Sequence, residues 1–120
     1  MDAMIAAWIY AGLCVVTATF QVALYLGAPW GRWTQGGRYP TVLPPRNRTL
    51  AIATALFMLA LGASVLGAAD GGTPVPGWIA TVLTGAVFLG HVVSPSRFER
   101  ALWSPVSAVM LGAALWVMLA

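Results

Sequence analysis

Residues 50–69 read LAIATALFMLALGASVLGAA, a run of twenty residues without a charged side chain. An α-helix rises about 1.5 Å per residue, so about 20 apolar residues cross the hydrocarbon core of a bilayer. Three similar uncharged stretches accompany this run, and the four predicted spans are approximately 4–26, 50–69, 77–93 and 105–120. The sequence therefore predicts an all-α fold, a four-helix transmembrane bundle.

The composition argues against an ordinary soluble domain. The chain has 120 residues, of which 60% are hydrophobic and 8% are charged, and its mean hydropathy is +0.85. A chain this short buries only about two-thirds of its surface when it folds in water, so lipid must cover much of the remaining apolar area. A nucleic-acid partner is not expected, because such binding needs a broad basic face. We treat residues 1–120 as a single integral membrane domain.

The scarcity of cysteine and histidine restricts the ligand chemistry. Cys14 is the only cysteine, which excludes an intrachain disulfide, a C-x-x-C redox pair and a cysteine-built metal site. His91 is the only histidine, and a haem held by one histidine per chain would need a second ligand or a partner chain. The sequence therefore predicts no metal and no cofactor.

The basic residues indicate an orientation in the membrane. All six are arginines in the first and third connections between spans, whereas the termini and the second connection hold none. By the positive-inside rule, both of these connections are cytoplasmic and both termini lie outside. Tryptophan prefers the headgroup layer, and its positions agree with this orientation. The tryptophans toward the outer side are Trp8, Trp78 and Trp116, and those toward the cytoplasmic side are Trp30, Trp33 and Trp103.

The third connection contains two signals for a helix start. Ser96 and Glu99 match a capping box, in which each side chain satisfies a backbone N–H of the other residue. Ser104 followed by Pro105 offers a second start, with serine as N-cap and proline at the first helical position. We therefore expect a short interfacial helix over residues 97–103 that bends into the fourth span.

Polar side chains recur on one face of the first span. Tyr10, Cys14, Thr17, Gln21 and Tyr25 follow one another at spacings of 4, 3, 4 and 4 residues, close to the helical period. The other three spans also carry polar residues in the half that lies nearer the cytoplasm. Together with two residues of the first span they form the predicted polar cluster, which is Gln21, Tyr25, Thr54, His91 and Ser107. One interpretation is a small pocket open to the cytoplasm, with His91 as a proton-sensitive member and nearby arginines attracting anions. The other interpretation, which we favour at this point, is hydrogen bonding between helices.

No carboxylate falls within a predicted span, because Asp2, Asp70 and Glu99 all lie outside the four stretches. A proton-coupled exporter of this size would use an intramembrane carboxylate, so that class is disfavoured. A nucleophile, a base and an orienting group cannot be assembled from the sequence either. We therefore expect a protein without enzymatic activity.

The two arginine-bearing connections carry the most distinctive motifs of the chain. The markers are Gly27-Ala28-Pro29-Trp30-Gly31, Gly36-Gly37, Pro40 and Leu43-Pro44 in the first connection, and Ser94-Pro95-Ser96, Glu99-Arg100, Trp103 and Pro105 in and after the third. In these markers the chain resembles a family of uncharacterised small four-helix integral membrane proteins of bacteria. The resemblance implies the four-span architecture and a location in the bacterial inner membrane. It implies no activity and no catalytic residue.

Both connections are predicted to share one surface, because they lie on the same side of the membrane. The predicted lipid or partner face comprises Trp30, Arg32, Trp33, Arg38, Arg46, Arg48, Arg97, Glu99, Arg100 and Trp103. Arginine and tryptophan bind anionic headgroups or a membrane partner in such positions. They can also serve only to anchor and orient the protein.

These observations favour a non-enzymatic membrane protein that acts as a homo-oligomer or as an accessory subunit of a larger membrane complex, with this face against lipid or a partner. The alternative function is a small-solute or ion carrier that uses the polar cluster around Gln21 and His91. A carrier of that kind predicts that His91→Ala abolishes flux while the fold survives.

Overall fold

The computed structural model describes all residues, 1–120, and confirms the predicted four-helix bundle. The helices are α1 (Ala3–Tyr25), α2 (Pro45–Ala69), α3 (Val75–Val92) and α4 (Arg97–Leu119), and there are no strands. Each helix is long and apolar enough to cross a membrane. The protein is therefore a multi-pass membrane protein by the length and composition of its helices.

Local chemistry explains where three of the helices begin. The Asp2 side chain accepts a hydrogen bond from the N–H of Met4 (2.6 Å) at the start of α1. Helix α2 begins with Pro45, whose fixed φ suits the first turn and whose missing N–H is not needed there. The Ser96 hydroxyl accepts from the N–H of Glu99 (3.2 Å) at the start of α4. A capping bond of this kind contributes about 1 kcal/mol to helix stability.

Consecutive helices run antiparallel and form a closed ring. Helix α1 packs against α2 and α4, α3 packs against the same two helices, and α1 and α3 lie across the diagonal. Small residues permit the closest approaches: a Cβ on Gly62 would lie 3.3 Å from the Cβ of Cys14, and a Cβ on Gly77 would lie 2.9 Å from that of Ala68. We call the end with residues 26–44 and 93–96 the arginine end, and the end with both chain termini and residues 70–74 the terminal end.

The apolar core lies in the half of the bundle nearer the terminal end. It contains Ala6, Ala7 and Tyr10 from α1, packed with Val65 from α2 and with residues of α3 and α4. The Tyr10 hydroxyl and the Thr84 hydroxyl are 2.6 Å apart and form a hydrogen bond across the diagonal. Buried polar groups in a membrane must find such partners within the protein. This half of the bundle is therefore closely packed and has its polar groups paired.

The short interfacial helix expected over residues 97–103 does not form a separate element. Helix α4 continues through Pro105 to Leu119, so those residues are its first turns. Ser104 is not an N-cap, and its buried hydroxyl has no hydrogen-bond partner. Pro105 lacks the N–H that would donate to the carbonyl of Ala101 four residues earlier, yet the helix runs through it without interruption.

The first connection, residues 26–44, is folded back on itself, and we call it the strap. The N–H of Gly31 donates to the carbonyl of Thr41 (2.8 Å), and the N–H of Arg32 donates to that of Pro40 (3.2 Å). Gly31 has no room for a side chain, because a Cβ there would lie 1.7 Å from the carbonyl oxygen of Tyr39. Gly36 follows with a φ of +73°, which glycine adopts without strain. The strap therefore crosses the arginine end along one defined path.

Candidate functional site

Three hydrogen bonds fix the strap to the start of α4. The N–H of Gly36 donates to Glu99 Oε2 (2.7 Å). The Ser96 hydroxyl donates to the carbonyl of Arg32 (2.6 Å), and Trp103 Nε1 donates to the carbonyl of Trp33 (2.7 Å). The capping box is thus realised in one direction only, because Glu99 bonds the strap and the N–H of Ser96 donates to Ser94 Oγ instead (3.2 Å). The strap and α4 form one ordered unit at the arginine end.

A second set of bonds ties the strap to α2. Gln35 Nε2 donates to the carbonyl of Asn47 (3.1 Å), and Asn47 Nδ2 donates in return to Gln35 Oε1 (2.7 Å). Leu43 packs with Leu24 and Ala51 in a small apolar cluster at the same end. The strap is consequently held on both sides of the space that it covers.

A cavity of about 410 Å³ lies beneath the strap. All four helices and the strap contribute to its wall, which contains both polar and aromatic side chains. The lining residues are Thr17, Gln21, Thr34, Gln35, Thr54, Phe57, Met58, Val87, Gly90, His91, Glu99 and Trp103. Functional pockets are typically of this size and combine apolar walls with a few polar groups.

Some polar atoms of the wall are used within the protein and others are not. The hydroxyls of Thr17 and Thr54 donate to the carbonyls of Leu13 (2.9 Å) and Leu50 (2.9 Å), one turn earlier in their own helices. Glu99 uses Oε2 for the strap. These bonds leave the Gln21 amide, the Thr34 hydroxyl and Glu99 Oε1 available to a ligand.

The ring of His91 is oriented by α4. Its Nδ1 lies 3.3 Å from Ser107 Oγ, and the Ser107 hydroxyl proton is directed to the carbonyl of Trp103 (2.6 Å). Ser107 Oγ is therefore the acceptor, and in the neutral ring Nδ1 carries the proton. His91 Nε2 is then a hydrogen-bond acceptor without a partner in the protein.

The cavity is closed toward the terminal end. Met58 and Val87 line its inner side, and below them only a void of about 10 Å³ remains among Leu61, Thr84 and Met110. A water molecule needs roughly 10–15 Å³ or more of such space, together with polar partners. The cavity therefore ends at Met58 and Val87 and does not extend to the terminal end.

The outer side of the cavity lies between α2 and α3. Phe57 on α2 lines the cavity and is 36% exposed. Gly90 on α3 is exposed, and a Cβ on it would meet no atom within 4 Å. The two helices approach closely at Gly77 near the terminal end, whereas here the cavity separates them. The apolar rim at Phe57 faces the bilayer if the helices span a membrane.

The structure brings together three of the five residues in the predicted polar cluster. Gln21, Thr54 and His91 line the cavity, and Ser107 contacts His91 from outside the lining. Tyr25 does not contribute, because its side chain is 45% exposed at the last turn of α1. Residues at these spacings drift around the helix, so the face at the end of α1 is turned by about 60° from the face at Tyr10.

Two members of the predicted lipid or partner face belong inside the molecule. Glu99 and Trp103 are only 8% and 6% exposed, because both bond the strap and line the cavity. Trp33 is half-buried against Phe98, at 5.1 Å between ring centroids. The members that remain exposed are Trp30, Arg32, Arg38, Arg46, Arg97 and Arg100, with Arg48 half-buried.

The interior position of Glu99 also changes the assessment of its carboxylate. Residue 99 lies outside the predicted spans, and exporters that use a carboxylate were disfavoured for that reason. The structure places Glu99 in the first turn of α4 with its side chain toward the cavity. Thr34 and Gln35 reach the same cavity and were not predicted at all. Only Gly36-Gly37, which turns the strap back, signals their position in the sequence.

Two arginines meet outside the cavity at the surface of the strap. The guanidinium groups of Arg32 and Arg97 lie 5.4 and 5.1 Å from the centroid of the Phe98 ring. Both border a surface cleft of about 290 Å³. This placement gathers positive charge from the first and third connections at one point.

The chain matches no family model, no curated protein and no solved structure. The function is therefore inferred from the chemistry of the cavity and of the arginine surface.

Proposed function

We propose that this membrane protein is non-enzymatic and binds a small solute in the cavity beneath the strap, as a carrier or a binding subunit. The observation that supports the proposal is the convergence of Gln21, Thr54 and His91 from three helices on one cavity. A cavity closed at the terminal end favours a binding site that is filled from the arginine end or from the side. Release on the other side of the membrane would require a second conformation.

Hydrogen bonding between helices explains this arrangement less well than binding does. Groups that serve only to join helices bond to one another, as Tyr10 and Thr84 do in the core. The Gln21 amide and His91 Nε2 have no such partners within the protein, and they border the cavity rather than the packed core. A bound solute would supply the missing partners.

Native mass spectrometry of the protein, extracted gently from its host membrane, tests the proposal. We expect the wild-type chain to retain a small molecule, and Gln21→Leu to lose it because an apolar side chain replaces the amide in the wall. Thr19→Val is the matched control, since Thr19 is exposed on the same helix and donates only to the carbonyl of Val15 (2.8 Å). Retention of the same mass by both Gln21→Leu and His91→Ala would contradict binding in this cavity.

We propose further that the arginine end is cytoplasmic and that the membrane is the bacterial inner membrane. The positive-inside rule supports the orientation, since all six arginines lie at one end. The resemblance to small four-helix bacterial proteins, which we retain as a proposal, supports the location. The single native cysteine, Cys14, is buried, so cysteines introduced at Arg38 and Asp70 can be labelled selectively. A membrane-impermeant maleimide added to intact cells is expected to label position 70 and not position 38.

A second candidate function is contact with anionic lipid or with a membrane partner, including another copy of the chain. The convergence of Arg32 and Arg97 on Phe98 favours it, because two like charges at one cleft attract an anionic group. Replacing both arginines with glutamine is expected to reduce the phosphatidylglycerol that the protein retains. Arg38→Gln with Arg46→Gln removes the same charge from other exposed positions and serves as the control.

A further inference from the structure

The charge inside the cavity is opposite to the charge around it. Six arginines give the arginine end a strongly positive surface, but none of them is among the twelve lining residues. Glu99 is the only carboxylate in the lining. The interior of the cavity therefore carries the negative charge, and an anionic solute would meet an unfavourable environment there.

The geometry of Glu99 leaves one oxygen free for a ligand. Oε2 is held by the N–H of Gly36 at 2.7 Å, a bond that fixes the carboxylate at the roof of the cavity. Arg100 is adjacent in sequence but donates to the carbonyl of Ser94 and forms no hydrogen bond with Glu99. A carboxylate that is 8% exposed needs a counter-charge or further hydrogen-bond donors. A cation at Oε1 would supply both.

Three other free groups of the wall are able to accept hydrogen bonds, and the Gln21 amide and the Thr34 hydroxyl can also donate them. Gln21 offers its amide oxygen, Thr34 offers its hydroxyl oxygen, and His91 offers Nε2 because Ser107 occupies Nδ1. A primary ammonium group has three N–H donors and no acceptor. Its donors match an acceptor set of one carboxylate oxygen with these neutral groups.

The remaining wall suits an apolar substituent on the cation. The Trp103 ring is positioned by its bond to Trp33, and an ammonium near an aromatic face gains a cation–π contribution. Phe57 and Val87 continue the wall toward the outer side between α2 and α3. The volume of about 410 Å³ far exceeds that of a single metal ion, and no three His, Cys, Asp or Glu side chains are grouped to hold one.

We infer that the solute is an organic cation, a protonated amine with an apolar or aromatic substituent, and that Glu99 Oε1 is its counter-ion. This inference rests on the proposed binding function and names its ligand class. The ammonium lies beneath the strap among Glu99, Gln21 and His91, and the apolar substituent points along Phe57 toward the outer side.

Three probes that share one frame and differ in charge test this assignment: phenethylamine, phenethyl alcohol and hydrocinnamate. Their binding to the full-length protein in phosphatidylcholine nanodiscs is measured by titration calorimetry, with empty nanodiscs subtracted for partitioning into lipid. The amine is expected to bind at least about tenfold more tightly than the alcohol, because a charge-assisted hydrogen bond is worth more than a neutral one. The carboxylate probe is expected not to bind.

Charge and shape at residue 99 are separated by two variants. Glu99→Gln retains an acceptor for Gly36 but removes the charge, and it is expected to weaken amine binding by about tenfold to a hundredfold. Glu99→Asp retains the charge and is expected to preserve the preference for amine over alcohol. Asp70→Asn removes a carboxylate from the exposed second connection and is expected to change nothing. Near-ultraviolet circular dichroism of the tryptophans checks that each variant is folded.

The outcomes distinguish this inference from the function on which it rests. Binding of the alcohol or the carboxylate in preference to the amine, lost in Gln21→Leu, would overturn the cation assignment and leave the cavity as the binding site. Unchanged amine binding in folded Glu99→Gln would also overturn it. If Glu99→Gln does not fold, the relative affinities of the wild-type protein for the three probes still test the cation assignment. Absence of binding by all three probes to the wild-type protein would overturn both proposals.

Discussion

The two ends of the bundle differ in how closely the helices pack and in where their polar groups find partners. At the terminal end, small side chains such as Ala6 and Ala7 let the helices approach closely, and the Tyr10 and Thr84 hydroxyls bond each other. At the arginine end, the strap covers a cavity whose polar groups point into the space between the helices. The connection at the terminal end, residues 70–74, is exposed and makes no comparable cover. The packed apolar core thus lies toward one end and the candidate binding cavity lies at the other.

This contrast explains why the strap is long. Four helices with a shared apolar core would be joined adequately by turns as short as residues 70–74. The strap adds three hydrogen bonds to the start of α4 and two to α2, all of them at the arginine end. Its hydrogen bonds therefore order the cover of the site, and substitutions at the two ends should have separable effects on solute binding.

The largest effect is expected from Gly31→Ala in the strap. The added Cβ would lie 1.7 Å from the carbonyl oxygen of Tyr39 and 2.7 Å from that of Thr41, and neither backbone can move without breaking the fold of the strap. We expect a loss of about 3 kcal/mol or more in the free energy of unfolding, measured by denaturation in mild detergent. Gly12→Ala is the control, since no atom lies within 4 Å of its added Cβ. Equal stability of the two variants would contradict this account of the strap.

The next largest effect is expected from Gly77→Ala at the terminal end. Its Cβ would lie 2.9 Å from the Cβ of Ala68 and 2.7 Å from Met118 Sδ, and the flexible methionine can yield part of that distance. We expect a loss of about 1–3 kcal/mol in the free energy of unfolding, with the affinity for the bound solute unchanged. If solute binding falls together with stability, the two ends are coupled and the comparison drawn above fails.

One substitution made at both ends is expected to have an effect of the same order at the arginine end and a much smaller effect at the terminal end. Trp103→Phe removes the bond to the carbonyl of Trp33 (2.7 Å) at a side chain that is 6% exposed, and leaves that carbonyl without its partner. Trp116→Phe removes a bond of the same length to the carbonyl of Met1, but at a side chain that is 47% exposed. We expect about 1–3 kcal/mol for the first variant and less than about 0.5 kcal/mol for the second. The midpoints of thermal unfolding measure both losses of stability. A larger loss in Trp116→Phe than in Trp103→Phe would contradict the prediction.

The smallest effect is expected from Ser104→Ala, and its sign is opposite. The Ser104 hydroxyl is buried without a hydrogen-bond partner. Its removal therefore eliminates an unsatisfied polar group and breaks no hydrogen bond of that hydroxyl. We expect a change between zero and about 1 kcal/mol of added stability in the same thermal measurement. Ser107→Ala is the matched variant one turn later, and it is expected to destabilise because its hydroxyl bonds Trp103 and orients His91. A clear loss of stability in Ser104→Ala would indicate that this serine has a role that its contacts do not show.

The candidate site could be predicted from the sequence only in part. Gln21, Thr54 and His91 share a depth that follows from counting residues along each span, and the structure places them at one cavity. Tyr25 has a suitable spacing, but the drift of about 60° around α1 between Tyr10 and Tyr25 leaves its side chain exposed and outside the site. Thr34 lies in the strap, whose path is not periodic, and Glu99 lies in the first turn of α4, outside the predicted span. Neither position at the cavity follows from spacing along a span.

The sequence by itself determined the number of spans, the antiparallel order and the separation of charge between the two ends. Each of these properties depends on the composition of single segments, because the apolar and charged residues of a segment decide whether it enters lipid and which side its ends face. Only the tertiary structure decided that Glu99 turns inward and that Trp103 holds the strap rather than facing lipid. The decisive contact joins Gly36 to Glu99 across a separation of 63 residues. A bond of that kind depends on the path of the strap and on helix rotation, which no local pattern specifies.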